Sequence, residues 1–209
     1  MEGLQVLAVI ACVLCASGVR AETIVPKADV EPSPYHVWAH LHWAWLHANE
    51  VTQETATQLI HDYKKYDIPV GATNIDSSWM TAFNNFQENK ETWPDMGGFL
   101  SSMHDQAVRV IFWATSMVNV DHPQYKMALA KDFFVKNSKG HARPVEWWHG
   151  YGNYIDYNNP DAMEWWHHQM DHILDMGADG FKTDGTDPYI AEYIGGGGAV
   201  GFNDTEVTY

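Results

Sequence analysis

The chain has 209 residues, of which 45% are hydrophobic and 19% charged, a composition that fits one globular domain and excludes disorder or a low-complexity fibre. With 27 acidic against 12 basic residues the formal charge is -15, so a phosphate backbone or an anionic membrane surface would be repelled, and nucleic acid is excluded as a partner.

The longest apolar run, Leu4 to Ser17, is too short to span a bilayer and leads into Gly18-Val19-Arg20-Ala21, with small residues where a signal peptidase cuts. Residues 1–21 are therefore expected to be a secretion signal and residues 22–34 a polar leader, with no membrane anchor after cleavage. Cleavage would remove both Cys12 and Cys15, so stability outside the cell would rest on burial rather than disulfides. Asn203-Asp204-Thr205 is a glycan acceptor sequon that agrees with a secreted glycoprotein.

From Tyr35 onward apolar runs alternate with amphipathic helices, the order of parallel β/α units. The first run is Val37 to Trp45, followed by Asn49 as N-cap and a helix from about Glu50 to Tyr66, with Val51, Leu59, Ile60 and Tyr63 on one face. Val70 to Ile75 is the second strand. A weaker helix around Phe99 to Ala107 leads to the third, Val108 to Ala114, whose continuous apolar character predicts burial on both faces. The segment Thr115 to Asn158, rich in Asn, Gly, His and aromatic residues, is expected to be a functional loop with one short helix opening at Pro123. Asn159 as cap, Pro160 at the first helical position and Asp161 near the dipole begin a helix carrying Met163, Trp166, Met170, Ile173 and Leu174 on its apolar stripe, ended by Gly177. Ala178 to Asp184 is the fourth strand, and residues 191–209 are a glycine-rich tail.

Four such units make half of a (β/α)8 TIM-type barrel, whose usual size is about 250 residues. The expected fold is thus α/β, a partial and incomplete barrel over residues 35–190, closed by pairing with a missing second half or belonging to a longer protein.

Residues at the C-terminal strand ends of a barrel share a mouth. On this reading it collects His40, His42, Trp43 and Trp45, then Asn74, Asp76 and Trp79, then Trp113, Ser116 and Asn119, and last Lys182, Asp184 and Asp187. Carboxylates, amides, cations and indoles together suit a sugar, whose hydroxyls meet polar groups and whose C–H faces meet rings. Asp184 reads as a nucleophile or charge stabiliser kept ionised by Lys182, or else as a solvated turn aspartate before glycine.

Five ordered segments favour the first reading: Tyr35-His36-Val37-Trp38, Asn74-Ile75-Asp76, Asp132 to Asn137 (DFFVKN), Asn158 to Trp166 (NNPDAMEWW) and Gly177 to Asp184 (GADGFKTD). Together they resemble glycoside hydrolase family 31, the α-glucosidase and α-xylosidase family. The resemblance implies hydrolysis of α-glycosidic bonds by a retaining mechanism without a cofactor, with Asp184 as nucleophile and Asn74, Asp76, Trp113, Lys182 and Asp187 around the carbohydrate. Asn74 stands where the family commonly has an acid, which bears on sugar preference. The family's acid/base aspartate comes far beyond the nucleophile, whereas here only Gly185 to Tyr209 follow, so the chain alone is expected not to turn over α-glycosides.

Two rival readings remain at this level. His40-Leu41-His42 is similar to the metal-binding HxH of barrel amidohydrolases. A secreted carbohydrate-binding or matrix protein without catalysis is the other. His167, His168 and His172 are expected on a helix surface, Trp166 in the core, and the roles of Trp147 and Trp148 stay open.

Overall fold

A computed structural model describes residues 36–137 and 139–185. The expected signal at residues 1–21, the leader at 22–34, the tail at 191–209, Asp187 and Asn203 all lie outside the described residues.

Four strands, β1 (His42–Trp45), β2 (Val70–Ile75), β3 (Arg109–Ala114) and a later one at Gly180–Thr183, form an all-parallel sheet in chain order. Parallel neighbours require crossover segments long enough for a helix. Here these are α1 (Gln53–Lys65), α2 (Met96–Asp105) and α4 (Pro160–Asp175), with the short α3 (Tyr125–Ala130) preceding the last. Among the described residues the sheet has two unpaired edges and is an open part of a barrel, as the four-unit reading expects.

The loop expected over Thr115–Asn158 is instead largely structured. Besides α3 it holds β4 (Met117–Asn119), β5 (Val145–Trp147) and β6 (Gly150–Tyr154), an antiparallel sheet in the order β4-β6-β5, so the final parallel strand is β7. Ile155 N–H extends the β4–β6 ladder by donating to the Ser116 carbonyl, and Tyr125 Oη of α3 donates to Asn153 Oδ1 of β6 at 2.6 Å. The small sheet meets the C-terminal end of the larger through Tyr154 Oη, which donates to the Gly185 carbonyl at 3.1 Å.

Register sorts the side chains into two faces. Trp45, Asn74, Ile111 and Gly180 stand in one row across the sheet, and Asp76, Trp113 and Lys182 follow two residues on along the same face. The opposite face carries Ala44, Ile75, Val110, Phe112 and Phe181, which pack beneath Ala56 and Ile60 of α1, Phe99, Leu100 and Met103 of α2, and Trp166 and Ile173 of α4. Burying each of these large side chains contributes about 1.5–3 kcal/mol.

Element ends show where local chemistry differs from the sequence expectation. Val37–His40 is a 3-10 turn rather than strand, and it lies against Gly71: a Cβ there would be 2.3 Å from the Trp38 carbonyl oxygen. The α1 cap is Thr52 and not Asn49, because Thr52 and Thr55 satisfy each other's backbone N–H groups in a capping box. For α4 the expected cap holds: Asn159 Oδ1 accepts from the Asp161 and Ala162 N–H groups with Pro160 at the first position. Gly177, at φ +113, follows.

At the N-terminal end of the sheet Asp179 holds β7 to β3. Its carboxylate accepts from His104 Nε2 (2.7 Å), Arg109 Nη1 (2.9 Å) and the Val110 N–H (2.8 Å). Burial works to raise its pKa, but those three donors prevail and hold it below the usual carboxylate range.

Candidate active site

Asp184 extends the β3–β7 ladder by one residue, its N–H donating to the Ala114 carbonyl, which fixes the side chain at the C-terminal edge of the sheet. Both carboxylate oxygens are held. Oδ2 accepts from the Trp113 indole at 2.9 Å and lies 3.2 Å from Lys182 Nζ, while Oδ1 accepts from the Gly185 N–H at 2.9 Å. Burial alone would raise its pKa; the indole N–H, the ammonium and the backbone N–H outweigh it and lower the pKa from the ordinary value. Asp184 is therefore ionised at neutral pH, the state a carboxylate nucleophile needs.

Asp76 is the second carboxylate. Its Oδ1 accepts from the Ser77 N–H at 2.7 Å, Oδ2 accepts from the Trp45 indole at 2.6 Å, and Lys182 Nζ stands 3.6 Å from the same Oδ2. One ammonium thus lies between two carboxylates from strands that are not neighbours. Asn74 projects to this face one row below Asp76, and its Oδ1 is buried with no hydrogen-bond partner among the described residues. An acceptor left in that state awaits a donor, and a sugar hydroxyl is one.

Above the carboxylates is an aromatic wall. Trp113 and Trp147 stack with ring centres 6.4 Å apart, and Phe83 meets both edge-on. The two-residue turn Trp148-His149 joins β5 to β6, placing His149 flat on Phe83 with 4.0 Å between centres. Trp148, half exposed, covers Gly185 so closely that a Cβ there would be 2.5 Å from its ring. Asn119 pins the turn: its Nδ2 donates to the His149 carbonyl at 2.9 Å and its Oδ1 accepts from the Trp147 indole at 2.8 Å.

The structure thus gathers Trp45, Asn74, Asp76, Trp113, Lys182 and Asp184, as the strand-end reading expects. It corrects others. Trp79 is fully buried and donates its indole N–H to the Trp113 carbonyl, so it supports the wall from behind. His42 is the first residue of β1, paired with Val70 at the opposite end of the sheet from Asp184, and its Nε2 is hydrogen-bonded to Tyr63 Oη at 2.8 Å. His40 lies in the turn before that, so the HxH pair does not reach the carboxylates, and no cluster of three metal-ligating residues occurs among the described residues. Ser116 is turned to Tyr157 Oη. His172 is not merely a surface residue: its Nε2 lies 2.7 Å from the buried carboxylate of Glu88. Trp166 is buried in the core as expected. Sequence reading leaves Trp147 open and does not single out Phe83 or His149; the aromatic density of the 115–158 segment is the signal for Trp147 and His149, and Phe83 lies outside that segment.

A parallel strand-end site with two carboxylates, a bridging lysine and an indole wall defines a barrel of the glycoside hydrolase kind. Residues 35–204 match the "Glycosyl hydrolases family 31 TIM-barrel domain", and the chain belongs to that family. Over 145 residues (67% of this chain and 19% of the relative) it is 28% identical to an alpha-xylosidase of Lactiplantibacillus pentosus. Over 142 residues (68% and 19%) it is 25% identical to the "Myogenesis-regulating glycosidase" of Mus musculus. Among solved structures, a Flavobacterium johnsoniae family 31 dextranase complexed with glucose superimposes with a TM-score of 0.65 at 23% identity, over 70% of this chain and 18% of that one. A soil-metagenome alpha-xylosidase complexed with xylose gives 0.63 at 19% identity, over 70% and 22%. The chain spans about a fifth of the length of these relatives.

Proposed function

We propose that this barrel segment is the nucleophile-bearing part of a secreted retaining α-glycosidase. Asp184 attacks the anomeric carbon, Lys182 and Trp113 keep it ionised, and Asp76 and Asn74 bind hydroxyls of the same sugar. The single observation that carries this reading is the ionised Asp184, held by both oxygens at a strand tip beneath an aromatic wall. The names of the relatives support an α-linked glucoside or xyloside as substrate.

A retaining glycosidase needs a second carboxyl group about 5 to 5.5 Å from the nucleophile to protonate the leaving oxygen. Asp76 shares its cation with Asp184 and is already engaged with Trp45 and Ser77, which suits binding rather than proton transfer. The acid/base is accordingly assigned to a part of the barrel outside the described residues, either in a longer product or in a second half. Asp187, by the resemblance, belongs with the sugar-binding groups. Secretion and glycan attachment at Asn203 complete the proposal, supported by the apolar amino-terminal run and the sequon.

The test uses a leaving group that needs no proton. With a 5-fluoro-α-glucosyl or 5-fluoro-α-xylosyl fluoride, the Asp184 carboxylate forms the bond to C1 as the C1–F bond breaks and fluoride departs with its electron pair. The expected result is one glycosyl adduct on the peptide containing Asp184, absent from Asp184→Asn, without turnover of an aryl α-glycoside. Turnover of the aryl glycoside by this chain, lost in the same variant, would overturn the acid/base assignment. No adduct with either reagent would overturn the nucleophile, and sugar binding without adduct would favour the carbohydrate-binding alternative.

A further inference from the structure

We infer that His149 is a sugar-binding residue of the site served by Asp184, contributing a ring-nitrogen hydrogen bond to a substrate hydroxyl from the Phe83–Trp113 side. The inference rests on the proposed glycosidase reading and extends it to a residue of the β5–β6 turn.

Three observations converge on it. First, the imidazole is held in a set orientation without using its nitrogens. It stacks on Phe83 at 4.0 Å and 22°, and meets Trp147 edge-on at 5.3 Å and Trp113 edge-on at 6.4 Å. The main chain beneath it is tied by Asn119, which in turn holds Trp147. Second, neither ring nitrogen has a hydrogen-bond partner among the described residues, although the residue is only partly exposed. A polar ring packed among three aromatic residues at a cost in solvation is accounted for if a ligand supplies the missing partner. Third, it lies within electrostatic reach of the carboxylate pair: the charges of Asp76 and Asp184 both act on it.

Burial lowers the His149 pKa while those two carboxylates raise it, and burial wins. The ring is therefore neutral at neutral pH, with one nitrogen donating and the other accepting. Either suits a hydroxyl. An aromatic wall alone selects a sugar by its C–H faces; a fixed nitrogen at its edge adds a directional contact that tells one hydroxyl arrangement from another.

The experiment pairs two variants with two readouts. His149→Phe keeps the stack on Phe83 and removes both nitrogens, whereas His149→Gln restores a donor and an acceptor without the ring. Labelling by the 5-fluoroglycosyl fluoride is followed against reagent concentration, with thermal melting as a control for folding. The expected result for His149→Phe is an unchanged melting temperature, a half-saturating concentration about tenfold higher and a maximal labelling rate within about twofold, with His149→Gln recovering much of the affinity. In parallel, the imidazole nitrogen resonance of His149, assigned by its loss in His149→Phe, is followed during titration with glucose or xylose and is expected to shift. Wild-type labelling behaviour in a folded His149→Phe, or a resonance that both sugars leave in place, would overturn the inference. Should no adduct form in the wild type while the resonance shifts, the catalytic reading falls and His149 as a sugar contact stands.

Discussion

The indole N–H of Trp113 donates to Asp184 Oδ2 across 2.9 Å, and the Trp113 carbonyl in turn accepts from the buried Trp79. One residue of β3 therefore fixes the proposed nucleophile and is itself fixed from the helix side of the sheet. The first prediction follows. Trp113→Phe keeps most of the packing but removes the donor, so the Asp184 pKa rises toward its ordinary value. The acid limb of the labelling rate against pH should move upward, and labelling at neutral pH should persist. An unchanged limb in a folded variant would show that the indole does not set the ionisation.

Lys182 tests the charge balance of the same cluster. Lys182→Met leaves Asp76 and Asp184 facing each other without the ammonium that reaches both. Labelling at Asp184 should fall by at least about tenfold, a loss of the size seen when one partner of a charged hydrogen bond is removed. Stability should change by less than about 1 kcal/mol in urea unfolding, since the Lys182 and Asp184 side chains are 37% and 39% exposed and solvent screens the pair. Lys182→Arg keeps the charge but replaces a point cation by a planar fork, and partial recovery is expected.

How far this site could be read from sequence depended on how local its signals are. Asn159-Pro160-Asp161 carries its own capping chemistry, so the start of α4 was legible to the residue, and GFKTD after Gly177 placed Asp184 at a strand end. The β4-β6-β5 sheet had no such signal. Its strands are three to five residues long, and β6 contains Gly150 and Gly152, residues of poor strand propensity. Gly152 is there for a tertiary reason: a Cβ would be 2.7 Å from the Val118 carbonyl oxygen of the neighbouring strand. His149 was illegible for the same cause, since only the pairing of β5 with β6 brings its turn over Asp184. The 3-10 turn at Val37–His40 likewise follows from close approach to Gly71, a contact far away in sequence.

Gly185 gives the third prediction. Its φ is +73, a conformation that other residues adopt at a cost, and an added Cβ would be 2.5 Å from the Trp148 ring and 3.2 Å from Thr115 Oγ1. Gly185→Ala should therefore destabilise by about 1–3 kcal/mol and displace either Trp148 or the Asp184 carboxylate, whose Oδ1 depends on the Gly185 N–H. Labelling should fall more steeply than stability. A variant with wild-type melting and wild-type labelling would show that the Trp148 cover shifts freely.

At the other end of β7, Asp179 couples the fold to pH. Its side chain is 14% exposed and accepts from Arg109, His104 and the Val110 N–H, so Asp179→Ala leaves three donors without their acceptor. The expected cost at pH 7 is about 1–3 kcal/mol. The folded pKa lies below the unfolded value near 3.9, so the stabilisation is complete above the unfolded value and is lost as pH falls through the folded one. Urea unfolding of wild type and Asp179→Ala should therefore differ most above about pH 5 and converge as the pH falls through the lowered folded pKa. A difference that stays constant across that range would mean that the carboxylate's charge contributes nothing and that the loss is one of packing alone.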